Sequence, residues 1–211
     1  MLRKLRKRGS ALLLALMLSL SLSVSAMAEE TVASLEETAQ SAAQGALTYG
    51  GADSVQYALW QDGKVVLTGS CGSYSRTENR ALTDDILYGI GSVSKIYTTV
   101  AVMQLAEAGR VSLDAPVTRY LKDFKMADER YRQITVRMLL NHSSGLMGSH
   151  FENAMLFGDA DPVAADSLLE QLSTQRLKAD PGAYSVYCND GFTLAAPVVD
   201  AGTGLEFMDY V

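Results

Sequence analysis

The sequence predicts an α+β fold in which a β-hairpin is set among helices. Three observations carry this expectation: an amphipathic stretch at Val32 to Leu47, two β-rich runs joined through an Asp-Gly pair, and a succession of helix-spaced segments from Ile96 onward.

Val32 to Leu47 is rich in Ala, Leu, Glu and Gln, and Leu35, Ala39, Ala42 and Ala46 recur at helical spacing. Val55 to Trp60 and Lys64 to Thr68 are the β-rich runs, and Gln61-Asp62-Gly63 between them is a strong hairpin signal. After a polar stretch from Ser70 to Asp85, the run Ile86 to Ile90 leads through Gly91 into Ser92-Val93-Ser94-Lys95. Ile96, Val100, Met103, Gln104 and Leu105 continue at helical spacing until Ala108-Gly109 stops the helix. Ser92 is therefore expected at the start of a helix whose apolar body is largely buried.

Leu113 to Phe124, with Asp114 and Pro116, reads as a loop with short helical pieces, and Thr135 to Asn141 as a helix. Ser143 to Gly148 is a breaker region, Pro162 to Leu172 is helical, and Asp180-Pro181-Gly182 makes a turn. Asn189 to Ala201 reads as a helix, and Leu205 to Val211 begins another.

At 48% hydrophobic and 20% charged residues, with 4 Pro and 17 Gly in 211, the composition excludes disordered, collagen-like and disulfide-dense chains. Residues 1–28 read as a secretory signal peptide: Arg3, Lys4, Arg6, Lys7 and Arg8 precede an apolar run from Ala11 to Val24, and Ala26-Met27-Ala28 is a small-x-small cleavage site. The apolar run is short of the ~20 residues that span a bilayer, so cleavage after Ala28 is favoured over an uncleaved anchor. Residues 29–211 are then the mature domain, expected outside the cytoplasm. Without the five basic signal residues, 13 Lys and Arg face 24 Asp and Glu. So acidic a chain argues against nucleic acid or an anionic membrane face as partner. Membrane association is expected only through an uncleaved signal or an anchor beyond Val211.

Cys71 and Cys188 are as consistent with two small buried residues as with a disulfide. No metal is expected, since His142 and His150 are the only histidines and neither has a carboxylate or thiol at ligand spacing. Nothing calls for a cofactor.

A serine needs a base to become a useful nucleophile at neutral pH. Ser92 and Lys95 stand at i and i+3, on one face of the helix, so the amine reaches the hydroxyl. An amine acts as a base when burial, neighbouring positive charge or hydrogen bonds lower its pKa. The helix start adds free N–H groups and a positive dipole end, both favouring developing negative charge. This is the one Ser-x-x-Lys in the chain. Taken alone the pattern is common, and an exposed Ser and Lys on a solvated helix would explain it. Lys95 within an apolar helix is less easily explained that way, because a lysine buried without a partner is costly.

Gly91-Ser92-Val93-Ser94-Lys95 resembles the nucleophile motif of the serine β-lactamase and penicillin-binding protein superfamily, particularly its class C β-lactamase-like branch. Ile134 to Leu146 is similar to a segment of the same branch, and Pro181-Gly182 followed by Tyr187-Cys188-Asn189 resembles its Pro-Gly and Tyr-x-Asn motifs. The resemblance implies that Ser92 attacks a carbonyl and is acylated, with Lys95 either accepting its proton or holding a tyrosinate near it. It implies Tyr187 as general base and later proton donor or water activator, and Asn189 as hydrogen-bond partner of Lys95 and of the substrate's amide carbonyl. Asn189 could also cap the helix that follows. By the same resemblance His142 is structural, and Cys188 fills the variable middle of Tyr-x-Asn as a packed side chain.

The superfamily's third motif, Lys-Thr-Gly or His-x-Gly, has no counterpart here, for Gly202-Thr203-Gly204 lacks a preceding Lys or His. The resemblance implies that the strand bearing it pairs beside the hairpin, supplies the second oxyanion N–H and binds the substrate carboxylate. The expected fold is thus β-lactamase/transpeptidase-like, an α/β/α sandwich with an antiparallel sheet plus a helical region, C-terminally incomplete at Val211. The expected function is an extracytoplasmic serine hydrolase working through a Ser92 acyl-enzyme on β-lactams, D-Ala-D-Ala-type cell-wall peptides or related amides and esters. The 211 residues alone are expected to be inactive. The alternative is a non-catalytic penicillin-binding or scaffold module that keeps the same residues for folding or ligand binding.

Overall fold

The computed structural model describes residues 34–148, apart from 76, 79, 81 and 84, and residues 164–211. The signal-peptide reading of residues 1–28, the first two residues of the expected Val32 helix, His150 and the start of the expected Pro162 helix lie outside them. The chain divides into two units, one ending at Tyr88 and the other spanning Gly89–Val211.

In the first unit, described residues 34–50 form helix α1, and β1 (Ser54–Gln61) pairs antiparallel with β2 (Lys64–Gly72). Gln61 pairs with Lys64, so Asp62 and Gly63 alone make the turn. Both have positive φ, 48° and 81°, the backbone of the mirror-image turns whose twist matches a hairpin. The strands run further than their β-rich cores suggested, to Cys71 and Gly72, with a bulge between Leu59 and Trp60. Tyr57 crosses the sheet face above its partner Gly69 and donates its hydroxyl to Gln40 Oε1 of α1 at 3.0 Å. Beyond β2, Gln56 Nε2 donates to the Thr83 carbonyl and Tyr88 donates to Ser54 Oγ, tying the segment after the hairpin back to β1.

The second unit is helical. A 3₁₀ turn, Gly91–Val93, leads into α2 (Ser94–Glu107), followed by α3 (Val136–Leu140), α4 (Ala164–Leu172), α5 (Asn189–Thr203) and α6 (Phe207–Tyr210). Helix α5 is the hub, packing on α2, α3, α4 and α6. Its Leu194, Ala195, Val198 and Val199 are fully buried with Val102 and Leu105 of α2, Leu139 of α3 and Leu172 of α4. Short 3₁₀ turns at Val117–Arg119 and Glu129–Gln133 interrupt the α2–α3 connection, and a bridge between Pro116 and Thr135 closes it. Thr135 caps α3, its Oγ1 accepting from Met138 N–H, an arrangement worth about 1 kcal/mol.

The expectation that α2 is largely buried is corrected by the structure. Thr98, Ala101, Val102 and Leu105 face the core, whereas Ile96, Tyr97, Val100 and Met103 are exposed. Apolar residues all round a helix allow burial on every side, but the packing within this unit covers only one. Both cysteines are free thiols: Cys71 is half-buried, and Cys188 is buried with its Sγ donating to the Gly148 carbonyl. Among the described residues, no helix is long and apolar enough to cross a membrane, and no three His, Cys, Asp or Glu side chains are grouped to hold a metal ion.

Candidate active site

Ser92 stands in the 3₁₀ turn and Lys95 in the first turn of α2. Lys95 Nζ donates to Ser92 Oγ at 3.2 Å, as the i, i+3 spacing predicted. The opposite side of the site comes from the segment preceding α5. Tyr187 places its hydroxyl 2.5 Å from Ser92 Oγ. Lys95 Nζ also lies 4.9 Å from the centre of the Tyr187 ring and 5.5 Å from that of Phe192, so the ammonium is bordered by two π-faces that favour a cation. Ser92 and Tyr187 are both open to solvent, and Lys95 is half-buried.

The hydrogen bond from Lys95 is the main cause that holds the Tyr187 phenol below its ordinary pKa; the bond with Ser92 and the lysine's charge act in the same direction, and slight burial opposes them. A phenolate beside a serine hydroxyl can accept its proton, and the neutral phenol can return one.

Two chain segments laced together hold Tyr187 in place. Residues 141–148, which follow α3, run beside 178–188: Lys178 N–H donates to the Gly145 carbonyl at 2.9 Å, Gly182 N–H to Ser143 at 2.7 Å and Val186 N–H to His142 at 2.9 Å. The Ser185 hydroxyl donates to the Asn141 carbonyl. Helix α3 ends in paired Schellman bonds, from His142 N–H to Leu139 and from Ser143 N–H to Met138. His142 occupies the left-handed position (φ 63°) usually given to Gly. Its ring lies 4.5 Å from that of Tyr187 and 5.3 Å from that of Phe192. A second brace is Asp128, which accepts from Arg130 and from Leu177 N–H, while Arg130 also reaches Asp180.

The structure thus brings Ser92, Lys95 and Tyr187 together. Asn189 is the first residue of α5, half-buried, two positions beyond Tyr187. The helix N-cap is Cys188, without a side-chain cap bond, so the capping role considered for Asn189 does not hold. Sequence reasoning did not single out Phe192, Asp128 or Arg130. Asp128 does cap the turn that holds Arg130, but the bonds that make this pair a brace, to Leu177 and Asp180, and the approach of Phe192 to Lys95 are contacts across the fold.

A helix-borne serine with a lysine one turn along and a tyrosine across from it, on a β-lactamase/transpeptidase-like fold, defines the class as the serine β-lactamase and penicillin-binding protein superfamily. The chain belongs to the Beta-lactamase family, whose model matches residues 37–211. It is 32% identical over 139 residues to penicillin-binding protein 4 of Amycolatopsis lactamdurans, covering 65% of this chain and 35% of that protein. It is 31% identical over 153 residues to esterase EstB of Burkholderia gladioli, covering 67% of this chain and 39% of the other. The structure is similar to a D-stereospecific amidohydrolase from Streptomyces sp., with a TM-score of 0.67 and 28% identity over 83% of this chain and 52% of that one. The chain therefore spans little more than a third of these curated relatives and about half of the solved structure.

Proposed function

We propose that the protein is an exported serine hydrolase, delivered by a signal peptide cleaved after Ala28, that works through an acyl-enzyme on Ser92. Its substrates are β-lactams, D-Ala-D-Ala-type peptides or related amides and esters. The observation that carries this reading is the contact of the Ser92 hydroxyl with both Tyr187 and Lys95, at 2.5 and 3.2 Å. The Ser92 Oγ–carbonyl bond forms while the bond to the amine or alcohol leaving group breaks. The serine proton passes to the Tyr187 oxygen and from there to the leaving group. Water then cleaves the acyl ester, with Tyr187 taking the water's proton and returning it to Ser92. Lys95 keeps Tyr187 acidic enough for this cycle, and Asn189 holds the substrate's amide carbonyl. The helix start beneath Ser92 favours the negative charge that develops on the attacked carbonyl.

The test is intact-mass analysis of the full-length secreted protein after incubation with a penicillin and with a chromogenic cephalosporin, alongside Ser92→Ala. A lasting adduct on the wild type alone indicates a penicillin-binding peptidase, and rapid colour without an adduct indicates a β-lactamase. If a folded protein gives neither, and hydrolyses no activated ester, the hydrolase reading is wrong and the non-catalytic module remains.

A further inference from the structure

We propose that His142 is a positioning residue for Tyr187: its neutral imidazole anchors the chain that carries the phenol, and protonating that imidazole releases Tyr187 from Ser92. The inference rests on the reading of Tyr187 as the base, and it assigns a function to a side chain that the acylation steps do not use.

The Cys188 N–H donates to His142 Nδ1 at 3.1 Å. One residue before it, Tyr187 lies against the same ring, and Val186 N–H is fixed to the His142 carbonyl. The residues on both sides of Tyr187 are therefore attached to this one histidine, from its backbone and from its side chain. The backbone at His142 is held at φ 63°, a conformation that glycine adopts more readily. Glycine would complete the same helix cap but could neither accept from Cys188 nor pack on Tyr187.

Only the neutral ring can serve. With Nδ1 accepting, the ring proton sits on Nε2; the imidazolium carries a proton on both nitrogens and would present a donor to the Cys188 donor. Lys95 of α2 and Tyr187 of the adjoining segment act on the ring directly, whereas Lys178 and buried Asp190 lie around Cys188, its hydrogen-bond partner. Arg137, on its own helix, is paired with Asp114. Burial is the main cause that holds His142 below its ordinary value of 6.5, and the Lys95 charge acts in the same direction. The ring therefore stays neutral near pH 7, and the anchor is lost in acid.

The experiment measures the p-nitrophenyl acetate acylation burst of the full-length protein across acid to neutral pH for wild type, Ser92→Ala, His142→Gly and His142→Asn. Asn tolerates the left-handed backbone and offers an Oδ1 acceptor that does not titrate. His142→Gly is expected to melt no lower than wild type yet to lose roughly tenfold or more in burst rate, part of the 10²–10⁴-fold that a positioned base contributes, with KM unchanged. His142→Asn is expected to keep most of the rate and to retain only the fall that Tyr187 protonation itself causes, losing the steeper fall that the wild type shows in acid, below the ordinary histidine value of 6.5. A wild-type burst rate in His142→Gly, or the same acid limb in His142→Asn, overturns the proposal; His142→Asn alone decides if His142→Gly does not fold. A burst that survives in Ser92→Ala instead overturns the reading of the whole site, so the two failures are distinguishable.

Discussion

The α-carbon of Gly145 lies so close to the carbonyl of Ala179 that a methyl group on it would stand 2.4 Å from that oxygen. Gly145 also has φ 78° and accepts from Lys178 N–H through its own carbonyl. The two segments that fix Tyr187 meet at this point, and only a residue without a Cβ lets them close.

Gly145→Ala is therefore expected to damage both stability and the site. The left-handed backbone costs about 1–2 kcal/mol for a residue with a Cβ, and the overlap with main chain adds about 1–3 kcal/mol. A fall in melting temperature should accompany a loss of Ser92 acylation, because the strain is relieved by moving 178–188 away from 141–148. An acylation rate equal to that of wild type in the folded variant would show that the lacing does not control Tyr187.

Lys95 is the main reason Tyr187 sits below the ordinary phenol value of 10.0. A base acts in its deprotonated form, so the acylation rate should rise with pH through the depressed Tyr187 pKa and then level off. In Lys95→Met this limb should move up toward 10.0, and in Tyr187→Phe it should vanish with a loss of roughly 10²–10⁴-fold. Burst rates measured from neutral to alkaline pH check both. An unmoved limb in Lys95→Met would mean that the lysine does not tune the phenol.

What the sequence made legible was local. The Asp62-Gly63 hairpin, the short helix that follows Thr135 and the meeting of Ser92 with Lys95 each depend on residues within a few positions of one another. Tyr187 was placed through a resemblance, because residues 95 positions apart in the chain leave no periodic trace. The exposed face of α2 was misread for a related reason: composition reports what a helix could bury, and tertiary contacts decide what it does bury. The helix end before His142 was legible, but the left-handed backbone at His142 itself was not, because that position after a helix usually falls to Gly.

The brace behind the site carries a pH dependence of its own. The Arg130 guanidinium donates twice to Asp128, at 3.0 and 2.6 Å, its backbone N–H donates once more at 3.2 Å, and Leu177 N–H adds a fourth bond. The Arg130 hydrogen bond, first among these causes, holds the Asp128 carboxyl well below its ordinary 3.8. A depressed carboxylate contributes stability that is fully present above its unfolded pKa and is lost as the pH falls through the folded one, so this contribution should decline from about 3.8 downward. Asp200 has the opposite sign. Its Oδ1 is buried without a partner among the described residues, and burial raises its pKa, so its charge opposes folding at neutral pH and acid relieves it. Asp128→Asn should lower the melting temperature at neutral pH and flatten the loss in strong acid, whereas Asp200→Asn should raise it at neutral pH with the difference shrinking in acid. Thermal melts of the two variants and wild type across this range separate the contributions; parallel curves for wild type and Asp128→Asn would mean that the brace does not couple protonation to folding.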